Sequence, residues 1–99
     1  MMDKLWRIGI YTDAISNAIE SSENLLRKFN FDDDAISEMN EWAIQDIEEV
    51  GLFSDITNSI IRCYFLAAKE YVERFFKDAD VSYYVNCHDS HLYCNGEEV

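Results

Sequence analysis

The sequence predicts a mainly helical α+β fold, with about three helices over residues 4–29, 33–50 and 54–78 and a small C-terminal antiparallel hairpin or meander over 81–99. Three observations carry that expectation. The 99 residues include no proline and only three glycines, so nothing interrupts long helices. Apolar residues return at spacings of three and four as far as Phe75, the period of an amphipathic helix. After Asp80 the composition shifts to Val and Tyr, and Asn95–Gly96 supplies a two-residue hairpin turn. The length suits a single domain, 1–99, burying roughly 60–65% of the surface its unfolded chain exposes.

The first helix is read from Leu5, Ile8, Thr12, Ile15, Ile19, Ser22, Leu26 and Phe29, one mostly apolar stripe, with Gly9 and Ser21–Ser22 as its weak points. Asp32, Asp33 and Asp34 supply an N-cap and first-turn carboxylates for the second helix, and Gly51 stands where a C-terminal cap is wanted. Ser54 caps a third helix, whose apolar positions are Ile60, Ile61, Tyr64, Ala67, Ala68, Tyr71, Val72 and Phe75. Glu70 with Arg74 and Glu73 with Lys77 are i, i+4 pairs in the favourable order, which reads as a solvated face. In the C-terminal segment Val81–Cys87 is one strand, His88–His91 a polar tip and His91–Cys94 the returning strand. Pairing Cys87 with Leu92 puts Val85, Cys87, Leu92 and Cys94 on one sheet face. Such a sheet must pack on the helices to be stable.

Charge is distributed unevenly. The formal net charge is −12, yet Phe29 to Ile61 holds nine acids and no Lys or Arg, while the remainder has 11 acids against 8 bases. An acidic surface with pI near 4.3 repels phosphates and anionic headgroups, which argues against direct binding to nucleic acid or membrane and for a basic partner. No apolar run reaches the ~20 residues that span a bilayer, and the Met1–Asp3–Lys4 start lacks a signal-peptide pattern, so the expected location is cytoplasmic. Cys63, Cys87 and Cys94 are an odd number, better suited to reduced packing thiols than to a disulfide framework.

On the second helix, Met39, Ala43, Ile47 and Val50 fall within about 60° of Ile36, while Asp34, Glu38, Glu41, Gln45, Glu48 and Glu49 lie about 120–220° away. Core and carboxylates therefore occupy opposite faces. Like charges at these spacings cost a few tenths of a kcal/mol per pair. With a charge about every 5 Å the stripe imitates part of a phosphate path, extended by Asp32, Asp33 and Asp55. Trp42, at about −120°, borders the two faces as an interface anchor or a core-edge residue. Trp6, Phe53 and the other aromatics are expected in the core. The face reads either as a solvated surface that promotes solubility or as a landing surface for a basic protein.

Cys87, His88, His91 and Cys94 are all zinc-ligand types, and a zinc-binding regulator is one alternative. Their spacing is unlike paired structural-zinc ligands, and adjacent Cys87 and His88 diverge on a strand, so packing thiols and tip histidines explain them without metal. No cofactor is expected. The chain has no phosphate-cradling glycine loop, metalloprotease histidine pair or nucleophile elbow, and is expected not to be an enzyme. In its small, acidic, motif-free character it resembles protein inhibitors of nucleases and DNA-targeting complexes, including phage anti-defence proteins and toxin immunity proteins. The resemblance is one of composition and transfers no residue roles.

The expected function is that of a non-enzymatic acidic inhibitor occluding a basic surface of a nuclease or nucleic-acid-binding complex, in the manner of a DNA mimic of anti-CRISPR, anti-restriction or immunity type. Its contact residues would be Asp32, Asp33, Asp34, Glu38, Glu41, Trp42, Glu48, Glu49 and Asp55. A further alternative is an assembly protein that homodimerises through the apolar stripe of its first helix.

Overall fold

The computed structural model describes residues 13–50, 56–86 and 89–99. The expectations placed on Leu5, Trp6, Ile8, Gly9, Thr12, Gly51, Phe53, Ser54, Asp55, Cys87 and His88, and on the Val50 side chain, lie outside them. The described chain is α+β and mainly helical: α1 (Asp13–Lys28), α2 (Asp33–Val50), α3 (Ile56–Phe75), β1 (Val81–Tyr84), β2 (His91–Cys94) and β3 (Glu97–Glu98).

Helix α1 buries Ile15, Ala18, Ser22, Leu25 and Leu26. The Ser22 hydroxyl donates to the Ala18 carbonyl at 2.8 Å, so this polar side chain enters the core already satisfied. The stripe offered above as a dimer seam is thus buried inside the chain's own core over Asp13–Lys28, and that part of α1 has no free apolar face to share. Asn30 ends the helix at φ 64°. The Phe31 amide bonds Leu26 O and the Asn30 amide bonds Arg27 O, the paired hydrogen bonds of a Schellman cap. Two residues later Asp32 caps α2: its Oδ1 accepts the Ala35 amide at 2.9 Å, as the aspartate run predicted.

Helix α2 buries Ile36, Met39, Asn40 and Ala43, with Ile47 packed against them. Asn40 Nδ2 donates to Glu23 Oε2 at 2.9 Å and to Ile36 O at 3.0 Å, pinning α2 to α1. Helix α3 is central, packing on α1, α2 and β1. It buries Ile60, Ile61, Cys63, Tyr64, Phe65, Ala67, Ala68, Tyr71 and Val72, more than half its circumference at 100° per residue. The Ala67–Ala68 pair lets its neighbours approach closely.

The sheet has order β1-β2-β3, antiparallel throughout. Asn95 and Gly96 both take positive φ, 52° and 84°, as their turn type requires. Val81, Leu92 and Cys94 face the helices. One expectation needs correction: Leu92 pairs with Tyr83, not Cys87, and β1 stops at Tyr84, so His91 is a strand residue opposite Tyr84 rather than part of the tip. The Ser90 hydroxyl explains the shorter strand. It donates to Asn86 O and accepts the Asn86 amide, closing the connection before the strands extend further. The register differs by four residues, an even number, so Val85, Leu92 and Cys94 keep their face.

A second correction concerns Glu73. Instead of pairing with Lys77 in solvent, its Oε2 accepts from Lys69 Nζ at 2.8 Å and from the Val81 amide at 3.1 Å. Lys69 Nζ also reaches Val81 O at 2.7 Å. Both backbone groups of Val81 are gripped by α3, which fixes where β1 starts and occupies polar groups of an edge strand. Although burial pushes Glu73 upward, the hydrogen bonds from Lys69 and Val81 and the Lys69 charge hold it below the usual 4.5.

Candidate functional site: the acidic face of α2 and its aromatic border

Helix α2 presents the carboxylates where its periodicity placed them. Asp34, Glu38, Glu41, Gln45, Glu48 and Glu49 are all exposed, opposite the buried Ile36, Met39 and Ala43, and Asp33 is exposed beside them in the first turn. No Lys or Arg occurs within the helix. Asp33, Asp34, Glu41 and Glu49 make no salt bridge among the described residues. Asp33 and Asp34 sit at the positive end of the helix dipole, but Glu48 and Glu49 stand at its negative end, where the dipole disfavours carboxylates.

Two members of the predicted set also have structural roles. Asp32 is the N-cap, and Glu38 accepts the Tyr71 hydroxyl at 3.1 Å. That bond crosses to α3 and ties the acidic face to a row of rings. Trp42 is half-buried with its ring 4.8 Å from Tyr71, and the Arg74 guanidinium lies over it at 5.9 Å, within cation–π range. Burial pushes the Tyr71 phenol up, helped by its bond to Glu38 and the charges of Glu38 and Asp32, with Arg74 opposing. An open groove of about 300 Å³ runs along this border, lined by Trp42, Gln45, Asp46, Glu70 and Arg74.

The aromatics expected in the core divide. Phe65 and Tyr64 are fully buried, whereas Phe75 and Phe76 are 57% and 40% exposed. Phe75 closes the 3–4 stripe in sequence but lies in the last turn of α3, where the neighbouring elements no longer cover it. That exposure was invisible to periodicity.

Of the Cys/His cluster the structure describes His91 and Cys94, and these two do not share a face. His91 and Cys94 occupy opposite faces of β2, Cys94 inward and His91 outward. Among the described residues no group of three His, Cys, Asp or Glu side chains is placed to hold a metal ion. His91 is instead held between two carboxylates, with Nε2 2.7 Å from Asp89 and Nδ1 2.5 Å from Glu98. The Glu98 hydrogen bond, with Asp89 adding to it, raises the imidazole above its usual 6.5 against a smaller opposing effect of burial. Cys63 and Cys94 are buried free thiols. Burial and the nearby Asp46 push Cys63 upward, away from the reactive thiolate, against a smaller pull from Arg62.

Among the described residues no helix is long and apolar enough to cross a membrane. No protein-family model matches the chain, and neither a curated protein nor a solved structure matches it.

Proposed function

We propose that the protein is a non-enzymatic, stoichiometric binder that occludes a basic surface on a nucleic-acid-acting enzyme or complex, of the anti-defence (anti-CRISPR or anti-restriction) or nuclease-immunity kind. One observation carries the reading: α2 turns a face of exposed carboxylates to solvent with no Lys or Arg interleaved. A face kept only for solubility would gain stability from mixed charge. An unmixed face repels itself and attracts a surface built for phosphate, giving rapid, salt-sensitive association.

The variant that tests this is Glu41→Lys with Glu49→Lys, since neither side chain makes a hydrogen bond or ion pair among the described residues. Glu38→Lys would also break the Tyr71 bond and confuse the result. Immobilised wild-type protein and the variant are exposed in parallel to one bacterial lysate, then eluted with salt or duplex DNA. The expected outcome is a basic nucleic-acid-acting protein on the wild type alone, displaced by both eluents. The same proteins on both surfaces would sink the reading.

A further inference from the structure

Where the chain leaves α1 and where α3 ends, four phenylalanines meet at one end of the helical bundle. The Phe29 ring lies 4.8 Å from Phe76, and Phe31 lies 5.7 Å from both Phe75 and Phe76. Phe29 and Phe31 are half-buried against the core, but Phe75 and Phe76 are 57% and 40% exposed. Adjacent exposed rings contribute little to folding, and contiguous apolar surface of this kind marks interaction sites. The patch is not isolated. Tyr71 lies 5.2 Å from Phe75, 5.3 Å from Phe31 and 4.8 Å from Trp42, so the exposed rings connect in one row through the buried Tyr71 to the border of the acidic face.

The charges around the row indicate what covers it. Asp32, Asp33 and Asp34 follow Phe31 directly and are exposed, and Glu38 is bonded to Tyr71 in the row itself. Of the nearby bases, Arg74 lies over Trp42 and Lys28 leans on Glu97 at 3.9 Å. Arg74 and Lys77 make no ion pair among the described residues, and of the two Arg74 is engaged by the Trp42 ring. A second copy is a poor occupant, because two chains of net charge −12 repel. A segment whose apolar side chain is flanked by Lys or Arg complements both the rings and the aspartates.

We propose that the row is the apolar anchor of a docking surface for a basic protein: a large apolar side chain of the partner lies on Phe75 and Phe76, and a neighbouring Arg or Lys reaches Asp33 and Asp34. This rests on the acidic-face reading and supplies what carboxylates alone lack. Long-range charge speeds encounter, whereas buried aromatic contact slows dissociation and concentrates binding energy in a few residues.

Three blocked peptides serve as probes in an amide-resolved NMR titration of the full chain: acetyl-Lys-Leu-Trp-Lys-amide, acetyl-Lys-Gly-Gly-Lys-amide and acetyl-Gln-Leu-Trp-Gln-amide. The first is expected to bind about tenfold more tightly than either other and to shift the signals of Phe31, Tyr71, Phe75 and Phe76. Phe75→Ser, alone and with Phe76→Ser, is expected to remove that advantage while circular dichroism stays unchanged; the single variant keeps the test alive if the double one unfolds. Equal binding of the two lysine peptides overturns the anchor and leaves the acidic-face reading standing. Equal binding of the Leu-Trp peptides overturns the basic-partner requirement, and with it that reading. Shifts at the patch that follow protein concentration instead of peptide would make a second copy the occupant and also overturn the proposal.

Discussion

Helices α2 and α3 are of similar length, 18 and 20 residues, and both are amphipathic, yet they treat charge in opposite ways. In α3 three of the five charged side chains are engaged: Lys69 and Glu73 hold Val81, and Arg74 covers Trp42. In α2 a file of carboxylates faces water without interleaved bases. The difference separates charge that builds the fold from charge the fold merely carries. A side chain that anchors a neighbouring element resists substitution for structural reasons, as Glu38 does through Tyr71, whereas Glu41 and Glu49 of the α2 face carry no such constraint.

The largest effect should come from α3. Phe65 is fully buried with its ring 6.0 Å from Tyr83 of β1, so Phe65→Ala should cost about 3–5 kcal/mol in urea unfolding. A loss below about 1 kcal/mol would remove α3 from the centre of the core.

Glu73→Gln should cost about 1–2 kcal/mol, because a charge-assisted acceptor for two donors becomes a neutral one. Hydrogen exchange at Val81 should accelerate with it. Because the folded pKa of Glu73 is depressed, its contribution is present above the usual 4.5 and lost as pH falls through the folded value. The variant should lose that part of the acid dependence, and an identical acid profile would contradict the assigned bonds.

On α2 the sign reverses. Glu49→Lys places a cation at the negative end of the dipole and relieves repulsion along the face, so stability should rise by a few tenths of a kcal/mol. Destabilisation beyond about 1 kcal/mol would mean that the acidic face supports folding, which breaks the comparison.

The hairpin extends the contrast at smaller scale. Asp89 and Glu98 have a cation between them only while His91 is protonated. The imidazole pKa is raised on folding, so the stabilisation is complete below the unfolded value near 6.5 and is lost as pH rises through the folded one. His91→Gln should lower hairpin protection below about pH 6.5 and flatten its fall as pH rises, while the separate loss on acidification that comes from Glu73 remains. A His91 imidazole titrating at or below 6.5 would dispose of the clamp.

Much of this was legible beforehand because local rules sufficed. The Asp32 cap, the opposed faces of α2 and the Asn95–Gly96 turn each depend on residues within a few positions of one another. The end of α1 was also local, but its sign was a single left-handed asparagine, Asn30, where glycine is the commoner residue. The register of β1 on β2 was not legible, since alternation fixes which side a residue faces and is blind to a shift of two or four. Glu73 was misassigned because its true partners, Lys69 and the Val81 amide, become neighbours only when β1 packs beside α3.

The amino-acid order by itself therefore determined the helices, the turn, the net charge of −12 and the gathering of carboxylates on one side of α2. Period and composition are properties of the chain whatever it packs against. Only the tertiary structure decided that Phe75 and Phe76 remain in water while Phe65 is enclosed, and that Trp42 and Tyr71 join those rings to the acidic face. Burial depends on where the neighbouring elements stop, and no residue carries that information alone.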